Sequence, residues 1–163
     1  MFEYSWSLLA PAEQAAFLRL SVFHGGFERE AALAVAGATL PVLAALIDKS
    51  LLYHRGSRYE WHEVLRQYAA EKLDAAPEDK AQTFARHSAH YADFVRAREP
   101  SLRGRGQKQA LEEIGAEIEN IRAGWRWAVA QRDAARVAGS LTGQRDSEAE
   151  ARIALARAAI KGA

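Results

Sequence analysis

The sequence predicts a mainly α-helical protein that contains one small β-hairpin. Apolar residues recur at helical spacing through the first fifty positions. The period then changes to two short aromatic segments around a glycine turn, and helical spacing returns for the rest of the chain. The 163 residues are 49% hydrophobic and 26% charged. This composition suits one domain or two small ones and argues against disorder of the whole chain.

The first helix is predicted to begin at Pro11, because a first turn does not need the N–H that proline lacks. Its apolar stripe ends at Phe23, and the pair Gly25-Gly26 is predicted to stop it. Ala10 supplies no hydroxyl at the cap position, so the capping box with Glu13 is predicted to be incomplete.

Two shorter helices follow. The second is predicted over residues 28–36 and ends at Gly37. The third is predicted over residues 40–49, with Thr39 as its N-cap. A three-residue break between two short helices is typical of a helix-turn-helix pair.

A β-hairpin is predicted after these helices. Residues 51–54 and 59–62 are short and aromatic-rich, and Gly56 lies in the turn between them. Helical spacing returns from Leu65 to Leu73. Three helices, a hairpin and a further helix in this order predict a winged helix-turn-helix domain over residues 1–77, in which the hairpin is the wing.

The remaining residues, 78–163, are predicted to form a helical domain that resembles the start of a helical-repeat array. One long helix is predicted over residues 78–98 and a second over residues 107–131, separated by a loop. Asp133 is a candidate cap for a third helix. Ser147 and Glu150 have the spacing of a capping box for a fourth helix. The two long helices are expected to pair antiparallel.

Composition excludes several classes of function. The chain has no cysteine, which excludes a disulfide scaffold, a Cys-ligated metal site and thiol catalysis. The apolar stretch over residues 40–47 is far shorter than the ~20 residues that cross a bilayer. The N-terminus has no signal-peptide pattern, so we expect a soluble cytoplasmic protein that does not bind membranes. A net charge of +1 favours neither membranes nor nucleic acid.

No catalytic or metal site is predicted. His62-Glu63 begins like the zinc-protease motif H-E-x-x-H, but Arg66 stands where the second histidine must be. His87 and His90 could share a helix face, yet two histidines without a nearby carboxylate pattern make a weak metal site. The sequence also contains no P-loop. We therefore expect a protein that is not an enzyme and that has no cofactor of its own.

Direct DNA binding is not expected of the winged helix. Its reading helix, residues 40–49, offers one cation, Lys49, beside Asp48. Residues 1–77 contain 7 Lys and Arg against 9 Asp and Glu, so a duplex would repel them. The candidate anion or nucleic-acid contacts are Arg55 and Arg58 on the wing, and a basic cluster made of Arg96, Arg98, Arg103, Arg105 and Lys108. Such a cluster more often consists of solvent-exposed residues around a loop. An apolar reading helix favours packing against protein.

A series of short motifs occurs in a fixed order between about residues 4 and 130. They are SWSLL (5–9), PAEQ (11–14), LRLSVFHGGF (18–27), LIDKSLL (46–52), RYEWHEVLRQYA (58–69), HSAHY (87–91), EPSLRG (99–104) and EIENIRAGWRWA (117–128). In order and spacing they resemble the region that follows the nucleotide-binding domain in bacterial STAND-class regulatory ATPases. That class includes the large LuxR-type and antibiotic-regulator-type transcriptional activators.

The resemblance implies a regulatory part of a nucleotide switch. In that class an upstream ATPase core carries the P-loop, the winged helix folds back on the bound nucleotide, and a tetratricopeptide-like array senses an effector. The core is absent from this sequence, so ADP or ATP is implied only together with such a core. The implied partners are the nucleotide-binding domain of the parent protein and a protein or small-molecule effector on the helical region.

The resemblance also implies a role for one residue. The sensor histidine of the family lies in a hydrophobic-His-acid motif at the end of the wing, and Trp61-His62-Glu63 matches it. His62 would contact the diphosphate of bound ADP. The structural alternative is a histidine at the hairpin end that hydrogen-bonds the backbone.

Two functions therefore remain open. The first is a non-enzymatic regulatory module of a STAND-type signalling ATPase, which couples the nucleotide state to partner sensing. The second is a stand-alone winged-helix DNA-binding regulator with a helical dimerisation or sensing domain.

Overall fold

The computed structural model describes residues 2–139, and it confirms a mainly helical fold with one antiparallel hairpin. The described residues fall into two compact units, which divide between His87 and Ser88. In chain order the elements are α1 (Phe2–Ser7), α2 (Pro11–Leu20), α3 (Arg29–Ala36), α4 (Leu40–Asp48), β1 (Tyr53–Arg55), β2 (Arg58–Glu60), α5 (Glu63–Asp74), α6 (Pro77–Leu102), α7 (Gln107–Ala116) and α8 (Ile118–Gly139).

Helix α1 precedes the first predicted helix and was not predicted, whereas the elements from α2 to α5 follow the predicted order. The core of the first unit is aromatic: the rings of Phe23 and Phe27 lie 4.8 Å apart, Phe27 stacks on Tyr59 at 5.9 Å, and Phe17 meets Trp61 edge-on at 5.7 Å. All five side chains are buried. Such pairs stabilise a core beyond the area that they remove from water.

The prediction that Gly25-Gly26 stops the first helix is wrong in detail, because α2 already ends at Leu20. The two glycines instead turn the chain, with φ angles of +74° and +86°. This turn sets Phe27 beside Tyr59, and each backbone N–H donates to the other residue's carbonyl, at 3.0 and 2.8 Å. The connection between α2 and α3 thus fixes the base of the wing.

The start of α6 packs in the first unit. The Arg19 Nε donates to both carboxylate oxygens of Asp79, at 2.9 and 3.1 Å. Further along, the Arg86 Nε donates to the Val35 carbonyl in the last turn of α3, at 2.8 Å. Thr83, which lies between Asp79 and Arg86 in the chain, is fully buried. The boundary after residue 77 stays a prediction, although α6 does begin there.

Three predictions for residues 78–139 are wrong. The helix predicted to end at residue 98 continues through Pro100 to Leu102; this position is near the helix end, where a proline removes only one late backbone bond. The helix predicted over residues 107–131 is broken at Glu117. Asp133 caps no new helix, because it lies inside α8. The capping box of Ser147 and Glu150 lies outside the described residues.

Glu13 joins the first turn of α2 to the end of α4. Its Oε2 accepts hydrogen bonds from the Ala10 N–H, at 2.9 Å, and from the Lys49 Nζ, at 2.7 Å. The carboxylate half of the capping box is therefore present without a hydroxyl partner. The hydrogen bond from Lys49, followed by that from Ala10, lowers the pKa of Glu13 below its ordinary value.

This pairing predicts a pH dependence of stability. A lowered pKa in the folded state stabilises the protein above the ordinary glutamate pKa of about 4.3, and this contribution is lost as the pH falls through the lower folded value. Chemical unfolding from pH 6 to pH 3 should show a steeper loss for the wild type than for Glu13→Gln, by a fraction of a kcal/mol. Lys49→Gln should flatten the same part of the profile. Parallel profiles for all three proteins would contradict this role of Glu13.

Candidate nucleic-acid interface

Helices α3 and α4 have the geometry of a helix-turn-helix. Their axes differ by 104° across residues 37–39, within the range of about 90–120° for this motif. Gly37 ends α3 in the left-handed conformation, with φ +67°, and its N–H donates to the Leu33 carbonyl at 3.0 Å. The next N–H, that of Ala38, donates to the Ala32 carbonyl at 3.2 Å. This pattern closes a helix end and makes a sharp turn.

Among the described residues, no single helix is long and apolar enough to cross a membrane. Helices α3 and α4 meet that criterion only together, as the bent pair that forms the helix-turn-helix.

The exposed side of α4 is apolar and acidic. Leu43 and Leu46 are fully buried on its inner side. Its exposed residues are Leu40, Pro41, Ala44 and Asp48. Lys49, which follows the helix, is held by Glu13. Direct readout in the major groove uses side chains such as Arg, Lys, Asn and Gln, and the sequence of α4 contains none of them.

The wing carries two arginines directly opposite each other. In the register of β1 and β2, Arg55 pairs with Arg58, and Gly56 in the turn has φ +63°. The Arg55 side chain is 74% exposed and lies 3.5 Å from a carboxylate oxygen of Glu60. The Arg58 Nη2 donates to the Gly25 carbonyl at 3.4 Å. Like charges opposite each other destabilise a hairpin, and here a nearby acid and a carbonyl offset part of that cost.

His62 lies at the predicted junction between the wing and α5. It is the N-cap residue of α5, and its carbonyl accepts from the N–H groups of Leu65 and Arg66, at 2.9 and 3.2 Å. Its side chain is exposed, makes no capping hydrogen bond, and has its ring 5.6 Å from the Tyr53 ring. An exposed imidazole at a helix N-terminus is placed to meet an anion.

Arg66 anchors the first turn of α5 beside His62. It forms two-pronged hydrogen bonds with Glu63, the shortest of 2.6 Å, and its Nη1 donates to the Ser21 carbonyl at 3.1 Å. The Arg66 guanidinium is the main cause of a lowered pKa of Glu63. In the sequence Arg66 stands out only as a departure from a zinc motif, and its anchoring role could not be predicted because Ser21 lies 45 residues away.

The basic cluster of the second unit is largely paired with acids. The paired residues and their partners are Arg96 with Asp93 (3.0 Å), Arg98 with Glu113 (2.7 Å), Arg103 with Glu99 (3.7 Å) and Lys108 with Glu112 (4.0 Å). The fifth member, Arg105, is exposed. Three of these pairs are separated by three or four residues in the chain, a spacing from which they could have been predicted. Ion pairs between exposed side chains are weak and are screened by salt, and the role of the cluster as an anion contact stays a prediction.

One family model matches part of the chain. Residues 9–74 match the family described as a winged helix-turn-helix domain, which agrees with the domain predicted from the order of elements. No solved structure matches the chain.

The chain is also similar to proteins of mycobacteria. It is 33% identical over 137 residues to a protein of Mycobacterium tuberculosis (strain ATCC 25618 / H37Rv) with the provisional name of HTH-type transcriptional regulator. A protein of Mycobacterium bovis with the same provisional name matches equally well. These matches cover 77% of this chain but only 15% of each relative. An uncharacterized protein of M. tuberculosis is 35% identical over 100 residues, which are 54% of this chain and 25% of that protein.

The chain therefore spans only a small part of the length of relatives that are named as transcriptional regulators. The name of these relatives as HTH-type regulators stands against the expectation that this segment does not bind DNA. The ATPase core, the tetratricopeptide-like array and the nucleotide contact stay predictions.

Proposed function

We propose that this chain, which contains a winged helix-turn-helix domain, is a non-enzymatic regulatory segment of a DNA-binding transcriptional regulator. In this proposal the whole regulator binds DNA, and helix α4 of this segment packs against protein. The regulator is cytoplasmic and soluble, and its helical region receives a protein partner or a small-molecule effector.

The exposed side of α4 carries the proposal. If α4 lay in the major groove of DNA, its exposed residues Leu40, Pro41 and Ala44 would offer no hydrogen bonds to the base edges. Asp48 would repel the phosphate backbone. Exposed apolar side chains on such a surface are instead typical of contacts between proteins. Leu33 on α3 is another exposed apolar side chain of the helix-turn-helix, with 52% of its surface accessible.

The first experiment measures DNA binding by the chain. Fluorescence anisotropy with mixed duplexes at about 150 mM salt should give dissociation constants weaker than roughly micromolar, because few phosphate contacts are available. Leu40→Ser, which makes α4 more polar without adding charge, should leave this weak binding unchanged. Nanomolar binding to a defined sequence, lost in Leu40→Ser, would overturn the protein-docking role of α4.

The second candidate function is DNA binding by the winged helix itself. The similarity to HTH-type regulators favours it, and so does the arginine pair at the wing tip. Replacing Arg55 and Arg58 together by Ala would then lower the slope of log affinity against log salt by about 2, since each phosphate contact contributes about 1. A salt slope that the double substitution does not change would exclude the wing as a DNA contact.

A finer proposal concerns nucleotide sensing. The resemblance to STAND-class ATPases makes the nucleotide-binding domain of a parent protein the partner of the winged helix, and His62 its contact with the diphosphate of ADP. The exposed ring of His62 and its position as the N-cap residue of α5 support this assignment. No nucleotide is expected to bind to this chain without such a core.

In the full-length parent, His62→Ala should therefore speed the release of ADP by roughly tenfold or more, through loss of a charge-assisted hydrogen bond. A ligand shifts an equilibrium only through differential contacts, so basal activity should rise as well. The melting temperature of this chain should hardly change, because the side chain is exposed. An unaltered release rate together with a large loss of stability would show that His62 is a structural residue.

A further inference from the structure

A buried carboxylate marks the break between α7 and α8. Glu117 is only 5% exposed, and it is at once the C-cap of α7 and the residue before α8. Its Oε2 accepts hydrogen bonds from the Tyr91 hydroxyl, at 3.0 Å, and from the Asn120 Nδ2, at 2.9 Å. The side chains of Tyr91 and Asn120 are also buried.

These three residues connect separate elements. Tyr91 lies on α6, Glu117 lies at the break, and Asn120 lies in the first turn of α8. The backbone carbonyl of Glu117 also accepts from the Ile121 N–H, at 2.9 Å, which is the first backbone bond of α8. One residue thus ends one helix, begins the next and holds both ends of the break to α6.

Helix α7 has a second attachment to α6 that does not involve Glu117. The Arg98 Nε donates to Glu113 at 2.7 Å, and the Arg98 guanidinium lies 3.4 Å from the centre of the Phe94 ring. Helix α7 is therefore held to α6 by the pair of Arg98 and Glu113, independently of Glu117. Loss of the Glu117 contacts should act on α8 and spare α7.

We propose that Tyr91, Glu117 and Asn120 form a latch that holds the start of α8 against α6, and that α8 opens locally at residue 117 when the latch is broken. Buried hydrogen bonds to a carboxylate are among the stronger ones, and proteins open locally where few contacts hold an element. The latch is a conformational device of the helical unit, and it does not depend on the function proposed above.

Amide hydrogen exchange of the full chain, followed by NMR, tests the proposal. Tyr91→Phe removes one hydroxyl and keeps the ring, so it should leave the protein folded. Exchange at the amides of residues 121–125 should become about tenfold faster, the effect of losing one buried hydrogen bond to a charged group. Amides of α7 should stay within about twofold of the wild type, as expected for a separately held element.

Two further variants make the result decisive. Glu117→Gln keeps the size of the side chain and removes its charge, and it should open the same five amides. Ile121→Val removes one buried methyl group from the same turn without touching the latch, and it should raise exchange in α6, α7 and α8 alike. If Tyr91→Phe gives that uniform pattern, or no change at all, the three residues are ordinary core residues and the latch does not exist.

Discussion

Gly26→Ala is expected to lower the free energy of unfolding by about 3 kcal/mol, the combined cost of left-handed strain and a close backbone contact. Gly26 has φ +86°, a conformation that residues with a Cβ rarely adopt. A Cβ at this position would lie 2.9 Å from the Tyr59 carbonyl oxygen, which is backbone and cannot rotate away. That same carbonyl accepts the hydrogen bond that fixes the wing to Phe27.

Gly25 is the matched control for this substitution. Its φ of +74° is similar, but nothing lies within 4 Å of an added Cβ. Gly25→Ala should therefore lose only the conformational cost, about 1 kcal/mol. Urea unfolding of the two variants at the same pH measures the difference. Equal losses would mean that the contact with Tyr59 costs nothing and that the wing can shift away from the α2–α3 connection.

The second large effect is expected from shortening α6. A chain that ends at residue 77 should be less stable than one that ends at residue 87 by about 3–5 kcal/mol, comparable with the loss of a large buried side chain. The shorter chain lacks Asp79, the buried Thr83 and Arg86, together with their contacts to α2 and α3. Circular dichroism during urea unfolding measures both chains. Equal stability would place the domain boundary where the sequence predicts it, after residue 77.

Two arginines on α6 provide a control at full length. Arg86 donates to the end of α3, whereas Arg96 is half exposed and pairs with Asp93 on its own helix. Arg86→Ala should cost about 1.5–3 kcal/mol, because it leaves the Val35 carbonyl without this charged donor. Arg96→Ala should stay within about 0.5 kcal/mol of the wild type. The reverse order would contradict the assignment of the start of α6 to the first unit.

Hydrophobic periodicity predicted the types and order of the elements from α2 to α5, since each helix buries one stripe and the short aromatic strands carry a different period, but it did not predict α1. The same signal could not find the break at Glu117, because the apolar spacing continues through a one-residue interruption. It also ended α6 at residue 98, four residues before its observed end at Leu102. A proline near a helix end removes a single bond, and packing can outweigh it.

Some features of the candidate sites could also be predicted from the sequence, and others could not. The position of His62 at the end of the wing and the poor reading face of α4 could be predicted from local sequence, because neighbouring residues decide both. The anchoring of Arg66 to Ser21 and the contact of Tyr91 with Glu117 join residues 45 and 26 positions apart. Contacts over such separations depend on how the helices pack, and a single sequence carries no direct sign of them.

The long-range hydrogen bonds of the first unit bear on how it folds during synthesis. Arg66 reaches back 45 residues to Ser21, Arg86 reaches 51 residues to Val35, and Asp79 meets Arg19 across 60 residues. A mostly helical segment would ordinarily fold on local contacts at high speed. Here the winged helix cannot reach its final packing until residue 86 has left the ribosome. Until then α2 and α3 lack their contacts with α6, so the packing of this unit is completed only after the first turns of α6 have been synthesised.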